Sequence, residues 1–237
     1  MPFGKLRMKE EPIINIAIAD DHRLVRDGIV SLIDSMDFGG KVIIEADEGR
    51  DLLDKIAAAE RMPDVCIIDI SMNGMDGYDT MLELQKKYPF INGLALSQYD
   101  EELPILLMMK YGAKGYVSKI VKTDTFQKAI LTVYSGSIFF PDDLLVKYPW
   151  FAKTPLEELT GHLPNENEML FLKLCCNENL TYAQIADVMY LSSRTIENMA
   201  LKLSERLNVK GRKGLILYAG RAGFTPPPAD DFLTNLF

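Results

Sequence analysis

The stretch Val65-Cys66-Ile67-Ile68-Asp69-Ile70-Ser71-Met72-Asn73-Gly74-Met75-Asp76-Gly77 decides the fold. Four apolar residues, three of them β-branched, run into a single carboxylate. A run that is apolar at every position reads as a strand buried on both faces, as in a parallel sheet. A loop and a helix-opening glycine follow. Asp69 therefore stands at the carboxyl end of the strand, where open α/β sheets collect their chemistry. Taken alone, a strand-terminal aspartate serves equally well to cap the next helix or to keep a loop soluble.

Three further strand ends narrow the choice. Asp20-Asp21 follow the apolar run 13–19, Ser97 follows the run 91–96, and Lys119 follows the short run 115–118. Helical patterns separate these strands, at 22–37, 49–60, 77–88, 100–111 and 123–134, with another strand at 41–46. In the first helix Leu24, Val25, Ile29, Leu32 and Ile33 are expected to face inward. All strand ends of a parallel sheet share one edge, so three carboxylates, a hydroxyl and an ammonium converge there. Clustered carboxylates repel one another unless a cation sits between them, and oxygen ligands with water suit Mg2+. His22 reads as an exposed residue opening the first helix rather than as a ligand. The twelve methionines read as core filler.

Composition places the 237 residues among globular chains, with 48% hydrophobic and 25% charged residues. That length fits one large or two ordinary domains. No apolar run approaches the roughly 20 residues of a membrane span. Residues 1–12 form a lead-in without the apolar core of a signal peptide. Cys66, Cys175 and Cys176 have no metal-ligand spacing, which suits reduced thiols in a cytoplasmic protein. The net charge of −8 is uneven: −8 over residues 1–160, +2 over 161–225 and −2 over the tail 226–237. The only positive segment is thus a modest hint of a polyanion-binding module.

Beyond a sheet unit at 13–135, residues 136–163 read as an ordered linker. It carries Pro141, Pro149 and Pro155, a short helix near 142–148, and a Trp150-Phe151 pair able to pack on either side. Residues 164–225 show four helical patterns, at 165–177, 182–189, 193–208 and 212–222, and no strand signal. Thr181 is placed to cap the second. Leu191-Ser192-Ser193 turns tightly into the third, in which Ile196, Ala200, Leu203 and Leu207 form one buried stripe. Two helices joined by a short turn make a helix-turn-helix.

The loop Asp69-Ile70-Ser71-Met72-Asn73-Gly74-Met75-Asp76-Gly77 resembles the phosphoacceptor loop of two-component receiver domains. The run Leu180-Thr181-Tyr182-Ala183-Gln184-Ile185-Ala186, with Leu191-Ser192-Ser193-Arg194-Thr195-Ile196 and Leu207-Asn208-Val209-Lys210-Gly211-Arg212, resembles the LuxR-type helix-turn-helix. Together they resemble the NarL/FixJ class of response regulators. That resemblance implies a flavodoxin-like, doubly wound, five-stranded parallel sheet followed by a small all-α DNA-binding domain. It implies that Asp69 accepts a phosphoryl group from a histidine kinase. Asp20, Asp21, Asp69 and the Ser71 backbone carbonyl would hold Mg2+, Ser97 and Lys119 would contact the phosphoryl group, and Tyr116 would be the switch aromatic. Ser71 and Tyr99 would set the lifetime of the phosphate. The output would be transcription regulation by a homodimer on promoter DNA, with no membrane partner and no enzyme activity beyond the chain's own phosphorylation and dephosphorylation.

Candidate DNA contacts under the resemblance are Thr181, Arg194, Glu197, Asn198, Leu201, Lys202 and Arg212. Three positions depart from the usual family pattern. Glu197 stands where lysine is common, Met199 where histidine is common, and Ala183 where a polar or basic residue is common. Fewer cations weaken sequence-independent binding, so the alternative is a receiver-controlled protein-interaction module with weak or no DNA binding. In the receiver, Asn73 replaces the usual proline. It is expected to loosen the loop and to touch no phosphate ligand.

Overall fold

A computed structural model describes residues 13–98 and 101–224. The expectations for the lead-in, for Tyr99 and for the tail fall outside these residues. Five strands, β1 (Ile14–Ala19), β2 (Gly40–Ala46), β3 (Val65–Asp69), β4 (Asn92–Ser97) and β5 (Ala113–Ser118), form one sheet. Its order is β2-β1-β3-β4-β5 and every pairing is parallel. Helices α1 (Arg23–Ser35), α2 (Gly49–Ala58), α3 (Gly77–Lys87) and α4 (Glu102–Lys110) make the crossovers, and α5 (Thr123–Tyr134) follows the last strand.

Alternation along the strands builds two cores. Ile16, Ile18, Val65, Ile67, Leu94 and Leu96 meet Ile33 of α1 and Phe126, Ile130 and Val133 of α5. The opposite face offers small residues, Ala17, Ala19, Cys66 and Ala95, under α2, α3 and α4. Both faces are covered, which is why β3 is apolar from Val65 to Ile68, up to its terminal Asp69.

One inward assignment fails. Leu24 is 88% exposed, whereas Arg26 on the same helix is buried. The Arg26 guanidinium donates to the Asp20 carbonyl and pairs with Asp47 at 2.7 Å. A cation met by a carbonyl and by carboxylates can occupy a core-facing position that periodicity assigns to an apolar residue.

The remainder is helical: α6 (Asp142–Lys147), a 3-10 turn (Pro149–Ala152), α7 (Leu156–Thr160), α8 (Glu166–Cys175), α9 (Tyr182–Val188), α10 (Ser193–Arg206) and α11 (Gly211–Arg221). Phe151 is buried beside Phe140 and Tyr148, and Trp150 donates to Glu102 of α4 at 2.6 Å. The core under α2–α4 continues without a break through Leu163 into α8, α10 and α11. Tyr111 Oη donates to the Pro164 carbonyl at 2.9 Å, and Lys110 Nζ to the Leu163 carbonyl at 2.6 Å. Among the described residues no helix is long and apolar enough to cross a membrane.

Candidate functional site

The sheet delivers its strand ends to one edge. Asp69 closes β3, and Asp20 and Asp21 follow β1. Asp20 is fully buried and Asp69 is 2% exposed. Lys119 follows β5, and its backbone N–H donates to the Ser97 carbonyl at 2.7 Å, fixing it beside the end of β4. The Lys119 ammonium lies 2.8 Å from Asp20 Oδ2 and 2.8 Å from Asp69 Oδ2. Ser97 is buried at the same edge. The five residues singled out in the sequence therefore meet. Tyr116 is buried on β5, on the α2–α4 side of the sheet.

Electrostatics make the cluster uneasy. Burial pushes the Asp69 carboxyl up to about 6, against the pull of Lys119, and the neighbouring Asp20 charge adds to the rise. Burial alone would lower the Lys119 ammonium, yet its bonds to Asp20 and Asp69 hold it above the ordinary lysine range. Two buried Asp carboxylates with one ammonium leave negative charge uncompensated. Ligand atoms of Asp20, Asp21, His22 and Asp69 lie within 4.8 Å of one another. Asp21 Oδ1 is buried and accepts no hydrogen bond. This donor set is an acidic pocket that fits a divalent cation.

His22 belongs to this cluster although its side chain is exposed: Nδ1 lies 2.8 Å from Asp21 Oδ1 and 3.4 Å from Asp20 Oδ1. It does open α1, as expected, but it is in ion-pair reach of two of the carboxylates.

The loop after Asp69 is tightly held. Gly77 opens α3 against the strand it left, and a Cβ there would lie 2.2 Å from the Asp69 carbonyl oxygen. Gly74 has φ 78° and faces the Glu48 carboxylate, so a side chain there would be both strained and blocked. Glu48 Oε2 accepts from the Met75 N–H at 2.9 Å. Asp76 caps α3 by accepting from the Tyr78 and Asp79 N–H groups. The expectation for Asn73 is corrected here. Its backbone N–H and its Nδ2 both donate to Asp21 Oδ2, at 3.1 and 2.8 Å. The loop is tethered rather than loosened, and Asn73 bonds directly to a pocket carboxylate.

The helical half reaches this loop from the other side. Lys173 of α8 is 3% exposed, and its ammonium lies 2.7 Å from both Asp76 Oδ2 and Asp79 Oδ2. Tyr78 Oη donates to the Ala222 carbonyl, and the Tyr78 and Phe224 rings pack edge to face at 5.2 Å. A Cβ on Gly223 would lie 3.7 Å from Ser71 Oγ. Burial raises the Asp76 carboxyl despite Lys173. Sequence reading missed Lys173 entirely, because a lysine in an amphipathic pattern signals solvent.

In the helix-turn-helix, Thr181 and Gln184 form a capping box on α9, and Ser192 caps α10. Ile196, Ala200 and Leu203 are buried, while Arg194, Glu197, Asn198, Leu201 and Lys202 all face solvent. That face of α10 is clear of the sheet unit. Arg212 is partly covered: it donates to the Asn177 carbonyl at 3.0 Å and sits over the Tyr182 ring. Its guanidinium therefore braces the domain as well as being a candidate for phosphate.

The model of the response regulator receiver domain matches residues 16–131. Transcriptional regulatory protein LnrK of Bacillus subtilis is 28% identical over 223 residues, covering 89% of this chain and 98% of the relative. The DNA-binding transcriptional activator DevR/DosR of Mycobacterium tuberculosis is also 28% identical, covering 92% and 99%. Residues 16–131 are a response regulator receiver domain, and the chain over nearly its whole length is similar to NarL/FixJ-type response regulators. RcsB from Salmonella enterica serovar Typhimurium, solved on the promoter rprA with a phosphomimetic, shares this chain's fold. The TM-score is 0.62, at 20% identity over 88% of this chain and 99% of that one.

Proposed function

We propose that this response regulator accepts a phosphoryl group on Asp69 from a sensor histidine kinase, with Mg2+ in the acidic pocket, and regulates transcription by binding promoter DNA through α10. The observation that carries the reading is the meeting of Asp20, Asp21, Asp69, Ser97 and Lys119 at one sheet edge of a chain that also carries an exposed helix-turn-helix face.

Each residue has a physical task. Asp69 is the nucleophile: its carboxylate forms the new O–P bond as the N–P bond of the kinase's phosphohistidine breaks and the imidazole leaves. Asp20, Asp21 and the Ser71 carbonyl would hold the cation with Asp69. When bound, Mg2+ neutralises charge on the attacking carboxylate and on the phosphoryl oxygens. Lys119 is a flexible point charge, already 2.8 Å from Asp69 Oδ2, and follows the new phosphoryl group. Ser97 donates its hydroxyl to that group, and Tyr116 packs behind it. The chemistry is confined to the chain's own phosphorylation and dephosphorylation.

On the output side, Asn198 can read adenine in two hydrogen bonds, and Glu197 can accept from cytosine. Thr181, Arg194 and Arg212 supply phosphate contacts, and Lys202 lies on the same exposed face of α10 as Asn198. The active form is a homodimer, in the cytoplasm, on promoter DNA. RcsB was solved as dimers on DNA, which supports this arrangement. Glu197 favours the competing reading, a helix-turn-helix kept for protein contact. Titration of the full chain with genomic DNA fragments, with and without acetyl phosphate and Mg2+, separates the two. Salt-sensitive binding that tightens on phosphorylation supports DNA regulation. Absence of binding at any salt supports protein contact.

A further inference from the structure

Asn73 stands where receiver loops usually carry proline, and proline could reproduce neither of its bonds. It has no N–H and no side-chain donor. Here both the backbone N–H and Nδ2 of Asn73 donate to one oxygen, Asp21 Oδ2, across 52 residues of sequence. The other oxygen, Oδ1, is buried and accepts no hydrogen bond; its near polar neighbour is Nδ1 of the exposed His22, 2.8 Å away, and a ligand atom of Asp21 lies within 4.8 Å of those of Asp20 and Asp69. One oxygen of the carboxylate is thus spent on the loop, and the other is bound by no donor of the loop.

We propose that Asn73 is a positioning residue for the divalent cation of the acidic pocket: by clamping Asp21 Oδ2 it presents Oδ1 to the ion and ties the phosphoacceptor loop to the metal ligand. The inference rests on the receiver reading of the pocket. A carboxylate binding an ion through one oxygen gains from donors on the other, because outer hydrogen bonds orient a ligand, and their loss costs about 10–100-fold in metal affinity. Two donors to one anionic oxygen are charge-assisted and correspondingly strong. The clamp also works in reverse. An ion that pulls on Asp21 pulls on residue 73, four positions after Asp69, so cation binding reports directly to the loop.

The two donors separate by substitution. Asn73→Ala keeps the backbone N–H and loses the amide, whereas Asn73→Pro loses both. Neither removes a pocket ligand, and Asn73 is exposed, so both variants are expected to fold, with a metal-free melting temperature lowered by no more than the lost hydrogen bonds account for. Calorimetric titration of the full chain with Mg2+ alone reads the affinity directly. The expected result is a Kd raised about tenfold in Asn73→Ala and further in Asn73→Pro. A Kd unchanged or lowered in Asn73→Ala, or a Kd in Asn73→Pro no higher than in Asn73→Ala, overturns the proposal while leaving the receiver reading intact. Failure of the parent chain to bind Mg2+ at all overturns the receiver reading itself, and the proposal with it.

Discussion

The Lys173 ammonium lies 2.7 Å from Asp76 Oδ2, with both side chains buried. One partner belongs to α8 of the helical half. The other caps α3, seven residues after Asp69, the proposed phosphoacceptor. The two halves of the chain are therefore joined by an ion pair at the loop that phosphorylation would disturb. A buried charge pair is weak evidence for net stability, but removing one member strands the other.

Lys173→Met is accordingly expected to destabilise the chain by about 3–5 kcal/mol, since Asp76 is left buried without the ammonium that offsets it. Combining it with Asp76→Asn removes that stranded charge and recovers part of the loss. Urea unfolding of the parent and the two variants, followed by Trp150 fluorescence, checks this. A single variant as stable as the parent would contradict the burial of the pair.

Lys119 offsets two carboxylates and is the cation nearest to Asp69 among the described residues. Lys119→Ala is expected to slow phosphorylation by acetyl phosphate about a hundredfold or more, the scale for losing one preorganised donor at a site of developing charge. The rate of phosphoprotein formation, followed by intact mass, is the measurement. Mg2+ binding should persist in this variant, because no ligand is removed.

Asp69 gives a pH dependence with a definite sign. Its folded value of about 6 lies above the ordinary 3.8. Its contribution to stability is thus fully present below 3.8 and is lost as pH rises through 6 in metal-free protein. Cation binding requires the carboxylate, so Mg2+ displaces a proton. Mg2+ affinity should rise from pH 5 to pH 7 and level off above. Calorimetry in buffers of different ionisation enthalpy should find close to half a proton released per ion at about pH 6 and almost none at pH 8.

On the exposed face of α10 the charge of single residues should register in the salt dependence of DNA binding. Arg194→Ala is expected to flatten the slope of log affinity against log salt by about 0.9, the value of one phosphate contact. Glu197→Lys is expected to steepen it by a similar amount and to raise affinity for non-specific duplex. Equal slopes for all three proteins would place these residues away from the backbone.

Sequence pattern made the sheet and the pocket legible because both follow from local rules. A short, β-branched apolar run such as Val65–Ile68 reads as a doubly covered strand, and parallel strands put Asp20, Asp21, Asp69, Ser97 and Lys119 on one edge without reference to any distant contact. The buried stripe Ile196, Ala200, Leu203 followed from helical spacing in the same way. What stayed hidden depends on partners far apart in sequence. Arg26 is inside because the Asp20 carbonyl and Asp47 meet it there, while Leu24 is left outside. Lys173 is inside because Asp76 and Asp79 arrive from the other half. Asn73 looked like a mere loss of proline, because its partner Asp21 is 52 residues away.

The most direct test of the central claim is intact-mass and peptide-mapping mass spectrometry of the chain incubated with acetyl phosphate and Mg2+. One phosphoryl group per chain is expected, located on Asp69 and absent from Asp69→Asn. Labelling of Asp69→Asn to the same extent as the parent, or a phosphoryl group mapped to any other residue, would contradict it.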